Sequence, residues 1–257
     1  MDIPKATVAL AVILLAACGG RQGGSPRELL PDLDQAPPSA ISVLERDGRE
    51  RLLFLSAVEN VGAGPLVVSG RRDADERDMR ASQLVRRFDG STATVPLRAR
   101  LRFVVSETHR HWHLLGFETY ELRTVDGQTL GRDHKTGFCL GDRYDASVST
   151  RLPGEPVRAF WTQECGRGQT ERRRILEGIS PGFGDDYVPL LEGQFIDVTG
   201  LAPGRYVVVH RVNSDRDIRE SGYANNAASA LLELVRDSDG KPSISVLRTC
   251  PDAPTCG

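Results

Sequence analysis

The sequence predicts an all-β fold: a single β-sandwich-like domain with long irregular loops. Three observations carry this reading. Apolar runs of strand length are punctuated by Asn, Gly and Pro, as in sandwiches. Several runs alternate apolar and polar residues, the period of a half-buried strand. The chain, at 257 residues, is long enough for one large all-β domain with a sizeable core.

The elements follow in order. Arg51 to Val58 is a compact apolar run closed by Asn60, Gly62 and Gly64, and Pro65 to Val68 opens the next. Between Arg80 and Phe88 the pattern fits helix or strand, but Asp89-Gly90-Ser91 supplies a hairpin turn toward Thr92 to Val95, so a strand is expected. Leu101 to Val105 leads into a histidine row, and Gly116 to Leu122 alternates until Asp126-Gly127 turns the chain. From Gly131 to Gly193 periodicity fades while Gly, Pro, Asp and Arg accumulate. A long irregular segment inside a compact domain is commonly functional. Phe195 to Thr199 and Tyr206 to Val212 restore strand character, and Ala227 to Val235 reads as the last apolar strand before a polar tail.

Residues 1–17 read as an export signal: Lys5, an apolar run from Val8 to Leu15, then Ala16-Ala17. That run is too short to span a bilayer as a mature helix. Leu15-Ala16-Ala17-Cys18 resembles a bacterial lipobox, which implies lipidation at Cys18 and a lipoprotein at the periplasmic or cell-surface side of a membrane. The expected organisation is then a flexible tether over 18–30, a single folded domain over 31–236 and a tail over 237–257. A net charge of −2 gives no basic surplus for nucleic acid, and membrane contact is expected through the anchor alone. Cys139, Cys165, Cys250 and Cys256 form an even set in an exported chain, which implies disulfides. Of the three pairings, Cys139 with Cys165 and Cys250 with Cys256 is favoured, because the latter pair closes a short Pro-containing loop.

Three of the five histidines, His109, His111 and His113, occupy alternate positions. On a strand they share one face, with Arg110 and Trp112 on the other. A row of imidazoles is a ligand set for copper or zinc. On a flat strand the outer Cα atoms stand roughly 13 Å apart, so one ion is reached through the distal nitrogens of a bent strand, or by two histidines and a further ligand. The mature chain has two lysines, and one of them, Lys135, follows His134 in a loop. Tyr187, at the end of Gly178 to Asp186, is expected to sit in a Gly-rich turn.

His109 to His113 with the following Phe117 to Leu122 strand resembles the copper-binding stretch of the lysyl oxidase family. His134-Lys135 with Phe138-Cys139-Leu140 is similar to that family's cofactor-lysine segment, and Gly178-Ile179-Ser180-Pro181-Gly182 with Asp186-Tyr187 to its cofactor-tyrosine segment. Ile196 to Thr199, Gly204 to Tyr206 and Glu220 to Asn226 continue the resemblance. It implies a copper amine oxidase whose quinone, lysine tyrosylquinone, is made from Lys135 and Tyr187, with primary amines and O2 as substrates and aldehyde, peroxide and ammonia as products. Substrate identity, peptidyl lysine or a small amine, stays open, since the extra cysteines and the collagen-directed propeptide of animal members have no counterpart here. Asp185, Asp186 and His134 are candidates for the general base by adjacency. Two other readings of the histidine row remain: a Cu or Zn-binding exported β-domain without catalysis, and a zinc hydrolase. Neither has a use for Lys135 or Tyr187.

Overall fold

A computed structural model describes residues 27–107, 109–133, 135, 137–146, 150–189, 191 and 193–257. The expected export signal, the expected lipobox with Cys18 and the candidate base His134 lie outside the described residues.

The described residues form strands and no helix. In chain order these are β1 Glu28–Leu29, β2 Leu33–Gln35, β3 Ser39–Arg46, β4 Arg49–Asn60, β5 Leu66–Arg71, β6 Met79–Arg87, β7 Thr92–Val105 and β8 Arg110–Leu114. There follow β9 Glu118–Thr124, β10 Thr129–Arg132, β11 Tyr144–Asp145, β12 Arg174–Ile179 and β13 Phe183–Tyr187. The last four are β14 Phe195–Asp197, β15 Gly204–Val212, β16 Ala227–Arg236 and β17 Pro242–Cys250. Three antiparallel sheets result. One runs β12-β5-β6-β7-β8 with β1 beside β6; a second runs β10-β9-β15-β16-β17; the third runs β11-β13-β4-β14, with β2 and β3 also on β4.

All three sheets turn apolar side chains into one core, so the architecture is the all-β single domain expected from the sequence. Leu101 and Met79 enter it from the first sheet, Tyr120, Val208 and Leu232 from the second, and Leu52, Phe54 and Val58 from the third. Their full burial is the main favourable contribution to the fold, roughly 1.5–3 kcal/mol for each large apolar side chain. The expected hairpin forms between β6 and β7, where Arg87 N donates to Ser91 O and Gly90 takes φ +84°.

Three stretches differ from the sequence reading. Residues 39–46 form β3, joined to β4 by Asp47-Gly48 with φ of +57° and +69°, the two-residue turn that suits a twisted hairpin. Pro242–Cys250, read as a polar tail, is strand β17 on the edge of the second sheet. Its mostly exposed side chains hide the strand from hydropathy. At the other end Glu28–Leu29 pairs with Arg86–Arg87, so ordered backbone begins inside the stretch read as tether. The irregular segment 131–193 also contains the well-paired β12 and β13.

Candidate active site

The site lies where β8, the irregular segment after β10, and the end of β13 meet. Strand β8 is held on one side by β7, in the register Val104 to His111 and Arg102 to His113. Its other edge is taken by the irregular segment: Trp112 N donates to Cys165 O at 3.0 Å, and Leu114 and Phe138 exchange bonds of 2.8 and 3.0 Å. The Cys139–Cys165 disulfide closes this segment into a loop, and Cys250–Cys256 staples the far end of β17. Both pairings are the ones favoured from the sequence. Gly137 allows the docking, since a Cβ there would stand 2.6 Å from Leu114 O and its φ is +143°.

Alternation along β8 does what the sequence reading expected. Trp112 points away from the histidines, packs edge-on against Phe103, lies under the Arg72 guanidinium at 5.0 Å, and donates its indole N–H to Gln169 O. His111 and His113 point into the site, and His109 enters from the residue before the strand. The three rings converge, with centroids 4.7 to 5.1 Å apart. The Nε2 atoms of His111 and His113 stand 2.7 Å apart, and one donor atom from each of the three residues lies within 4.8 Å of the others. Nitrogens bound about 2.0 Å from one ion stand about 3 Å from each other, so small side-chain shifts bring all three to a single ion. Ser106 Oγ accepts the His109 backbone N–H at 3.1 Å and sits 3.5 Å from its Nδ1, which leaves the distal nitrogen for the ion.

All three imidazoles are buried. Burial, aided by Lys135 and Arg167, lowers His109 to about 4; burial and neighbouring rings and cations lower His111 to about 4 and His113 to about 2. They are therefore neutral near pH 7, the form that binds a metal. The buried Nδ1 atoms of His111 and His113 have no hydrogen-bond partner. The donor set fits a copper or zinc ion.

Lys135 and Tyr187 meet in the same cavity, which has a volume of about 220 Å³. Asp133 positions the lysine: its Oδ1 accepts Lys135 N at 2.9 Å while its Oδ2 accepts Tyr120 N at 2.8 Å. Lys135 Nζ stands 5.0 Å from the Tyr187 ring centroid and 5.1 Å from that of Phe138. Tyr187 ends strand β13, paired to Ser56, rather than lying in a Gly-rich turn; the turn is at Pro181-Gly182, where Gly182 takes φ +78°. Of the candidate bases, Asp185 is behind the tyrosine and fully buried, accepting Tyr187 Oη–H at 2.7 Å and Gly141 N–H at 2.9 Å. Burial pushes the Asp185 carboxyl up to about 7, opposed by Arg143, whose Nε stands 3.3 Å away. Asp186 lines the cavity itself.

Two charged cavity residues were not anticipated. Arg143 and Arg167 bring positive charge to the site from the irregular segment, and nothing in their local sequence distinguishes them from the chain's many other arginines.

Fold and cavity together define an all-β protein in which three converging imidazoles share a pocket with a lysine held against a tyrosine ring. A family model described as lysyl oxidase matches residues 66–239, well over half of the chain. The chain belongs to the lysyl oxidase family. It is 27% identical over 197 residues to lysyl oxidase homolog 3A of Danio rerio, covering 75% of this chain and 24% of that protein. It is 29% identical over 132 residues to lysyl oxidase homolog 4 of Mus musculus, covering 51% and 15%. It is 29% identical over 180 residues to protein-lysine 6-oxidase of Rattus norvegicus, covering 68% and 39%. The chain therefore matches less than half the length of each of these relatives.

Proposed function

We propose that the protein is a copper-dependent amine oxidase that converts primary amines, on peptidyl lysine or small molecules, to aldehydes. The overall change is RCH2NH2 + O2 + H2O giving RCHO + NH3 + H2O2. The observation that carries the reading is Lys135 Nζ at 5.0 Å from the Tyr187 ring, inside the cavity that the three histidines line. A zinc hydrolase or a bare metal carrier would have no need of that pair. Relatives named lysyl oxidase homologs and protein-lysine 6-oxidase support the same chemistry.

The roles follow from placement. His109, His111 and His113 would hold copper. Copper with O2 would supply the oxidation of the Tyr187 ring to a lysine tyrosylquinone linked to Lys135, and that quinone would supply the carbonyl chemistry toward the substrate amine. Asp185 Oδ2 takes the Tyr187 phenolic proton across its 2.7 Å bond, and Arg143 holds that carboxylate in place. Asp133 fixes the backbone at Lys135, with the amine 5.0 Å from the Tyr187 ring centroid. Phe138 and Tyr187 present ring faces to the amine, at 5.1 and 5.0 Å. We also propose export and lipid anchoring at Cys18, with residues 18–30 leading to the domain.

Peptide mass spectrometry of the copper-loaded, aerated protein tests the central claim. The expected result is a covalent link between the Lys135 and Tyr187 peptides, with quinone colour absent in Lys135→Ala and Tyr187→Phe. Unlinked, unmodified peptides in protein that holds copper at the histidines would overturn it.

A further inference from the structure

Four arginines stand side by side across the first sheet. Arg174 on β12 is directly opposite Arg71 on β5, Arg71 is opposite Arg80 on β6, and Arg80 is opposite Arg100 on β7. Directly opposed residues of antiparallel strands point to the same side, so the four guanidinium groups form a row on one face. All four residues are exposed, while Ile175, Met79 and Leu101, next to them along their strands, turn into the core. Like charges directly opposite one another destabilise a sheet. Of the four, Arg80 alone has ion pairs among the described residues, to Asp73 and Glu76.

The surroundings do not offset this charge. Residues 71–80, 98–102 and 171–174 together hold ten arginines and five carboxylates, in a chain whose net charge is −2. One of those carboxylates, Asp78, is held by Arg102 at 2.9 and 2.5 Å, and Asp217 pairs with Arg98. Along the same face runs a groove of about 490 Å³, which Arg71, Arg80 and Arg100 line. It adds hydroxyls and apolar surface to the cations: Ser69 is directly opposite Ser82, Ser82 is opposite Pro96, and Leu84 is opposite Thr94. The amine oxidase chemistry uses none of these residues.

We infer that this face docks an acidic polysaccharide with one carboxylate on each sugar, successive carboxylates meeting Arg174, Arg71, Arg80 and Arg100. Neighbouring strands lie about 4.8 Å apart, so the row spans roughly 14 Å. A sugar with its glycosidic link is about as long as one strand spacing, and the two repeats stay in step. An extended acidic peptide presents same-side carboxylates only at every second residue, about 6.7 Å, and covers about 20 Å in the same three intervals. It falls out of step with the row. Each planar guanidinium can donate two parallel hydrogen bonds to one carboxylate, which a lysine cannot. Ser69, Ser82 and Thr94 then face sugar hydroxyls, and Leu84 and Pro96 face the C–H side of the rings.

Titration of the copper-loaded, full-length protein with hexagalacturonate tests it, beside neutral dextran and a poly-glutamate of equal charge. Hexagalacturonate is expected to bind, more weakly as salt is raised, and dextran is not. Arg71→Gln and Arg100→Gln should each raise Kd about three- to fivefold, and together about tenfold or more, the upper range for exposed ion pairs. Arg205→Gln, on β15 of the second sheet, makes the same change in net charge away from the row and should stay within about twofold. Melting temperatures of the two row variants should match or exceed wild type, because each relieves opposed like charges. Loss of binding without loss of stability separates a docking role from a structural one. Absence of hexagalacturonate binding, tighter binding of poly-glutamate, equal binding of dextran, or an equal loss in Arg205→Gln would overturn the inference. It stands apart from the amine oxidase reading, which the Lys135 to Tyr187 link decides separately.

Discussion

A buried phenol has one proton to give, and Tyr187 has two acceptors: Asp185 Oδ2 at 2.7 Å and Cys139 O at 3.2 Å. Burial, and next the Asp185 charge, pushes Tyr187 well above its ordinary range. Only the carboxylate can take the proton, because an amide carbonyl is far too weak a base. Asp185→Asn would keep an acceptor near the phenol and remove the base. The expected outcome is copper bound at wild-type stoichiometry, with Lys135 to Tyr187 cross-linking slowed about 10²- to 10⁴-fold, the usual worth of a general base. Mass spectrometry over time, beside metal analysis and a melting curve, checks it, and Asp185→Glu is expected to recover part of the rate. Cross-linking at the wild-type rate in copper-loaded Asp185→Asn would remove Asp185 from this role.

At the scale of elements, the disulfide loop does two jobs. It closes a separation of 26 residues and carries the hydrogen bonds that cover the open edge of β8. Loop entropy alone makes such a bridge worth about 3.5 kcal/mol, against about 2 kcal/mol for the six-residue separation of Cys250–Cys256. Removing Cys139 and Cys165 together should lower the melting temperature more than removing the tail pair. It should also free Phe138 and Lys135 from their register, so that copper binding survives better than cross-linking does. Calorimetry and the same mass assay would show both, and equal effects of the two deletions would contradict this division. The same loop marks the limit of what the sequence reveals. The histidine face was legible because a period of two has one geometric meaning on a strand, and Trp112 turning away from it follows from the same rule. Lys135 and Tyr187 came from family resemblance, since no spacing rule joins residues so far apart. Arg143 and Arg167 lie in irregular backbone, where side-chain direction follows from no period. The strands β3 and β17 escaped because their exposed faces dilute the apolar pattern, although Asp47-Gly48 was a hairpin signal in plain view.

At the scale of the molecule, three sheets on one core leave acidic groups facing each other where chain ends meet the third sheet. Asp34 on β2 sits directly opposite Glu59 on β4, with Asp32 on the chain beside it and Asp252 arriving from the segment after β17. Like charges opposed across a strand pair disfavour the ionised form. Half-burial first, then Asp252, Glu59 and Asp32, push Asp34 up to about 6 from an ordinary 3.8. The sign is fixed by proton counting. Between about pH 4 and 6 the folded protein binds more protons at Asp34 than the unfolded chain does, so this group's contribution to stability falls as pH rises through that window and is level above it. Asp34→Asn cannot ionise and escapes the loss. It should melt with wild type near pH 4 and above it by pH 7, by on the order of 1 kcal/mol once solvent screening is allowed for, or about 2–4 °C. Other buried carboxyls, Glu118, Asp185 and Glu220, are pushed up to about 7 by burial and tilt both curves alike. The difference between variant and wild type therefore isolates Asp34. Melting curves of both proteins from pH 4 to 7 would settle it: a gap that opens with pH supports the acidic seam as a destabilising junction, and parallel curves would mean that Asp34 is ionised in the fold at no cost.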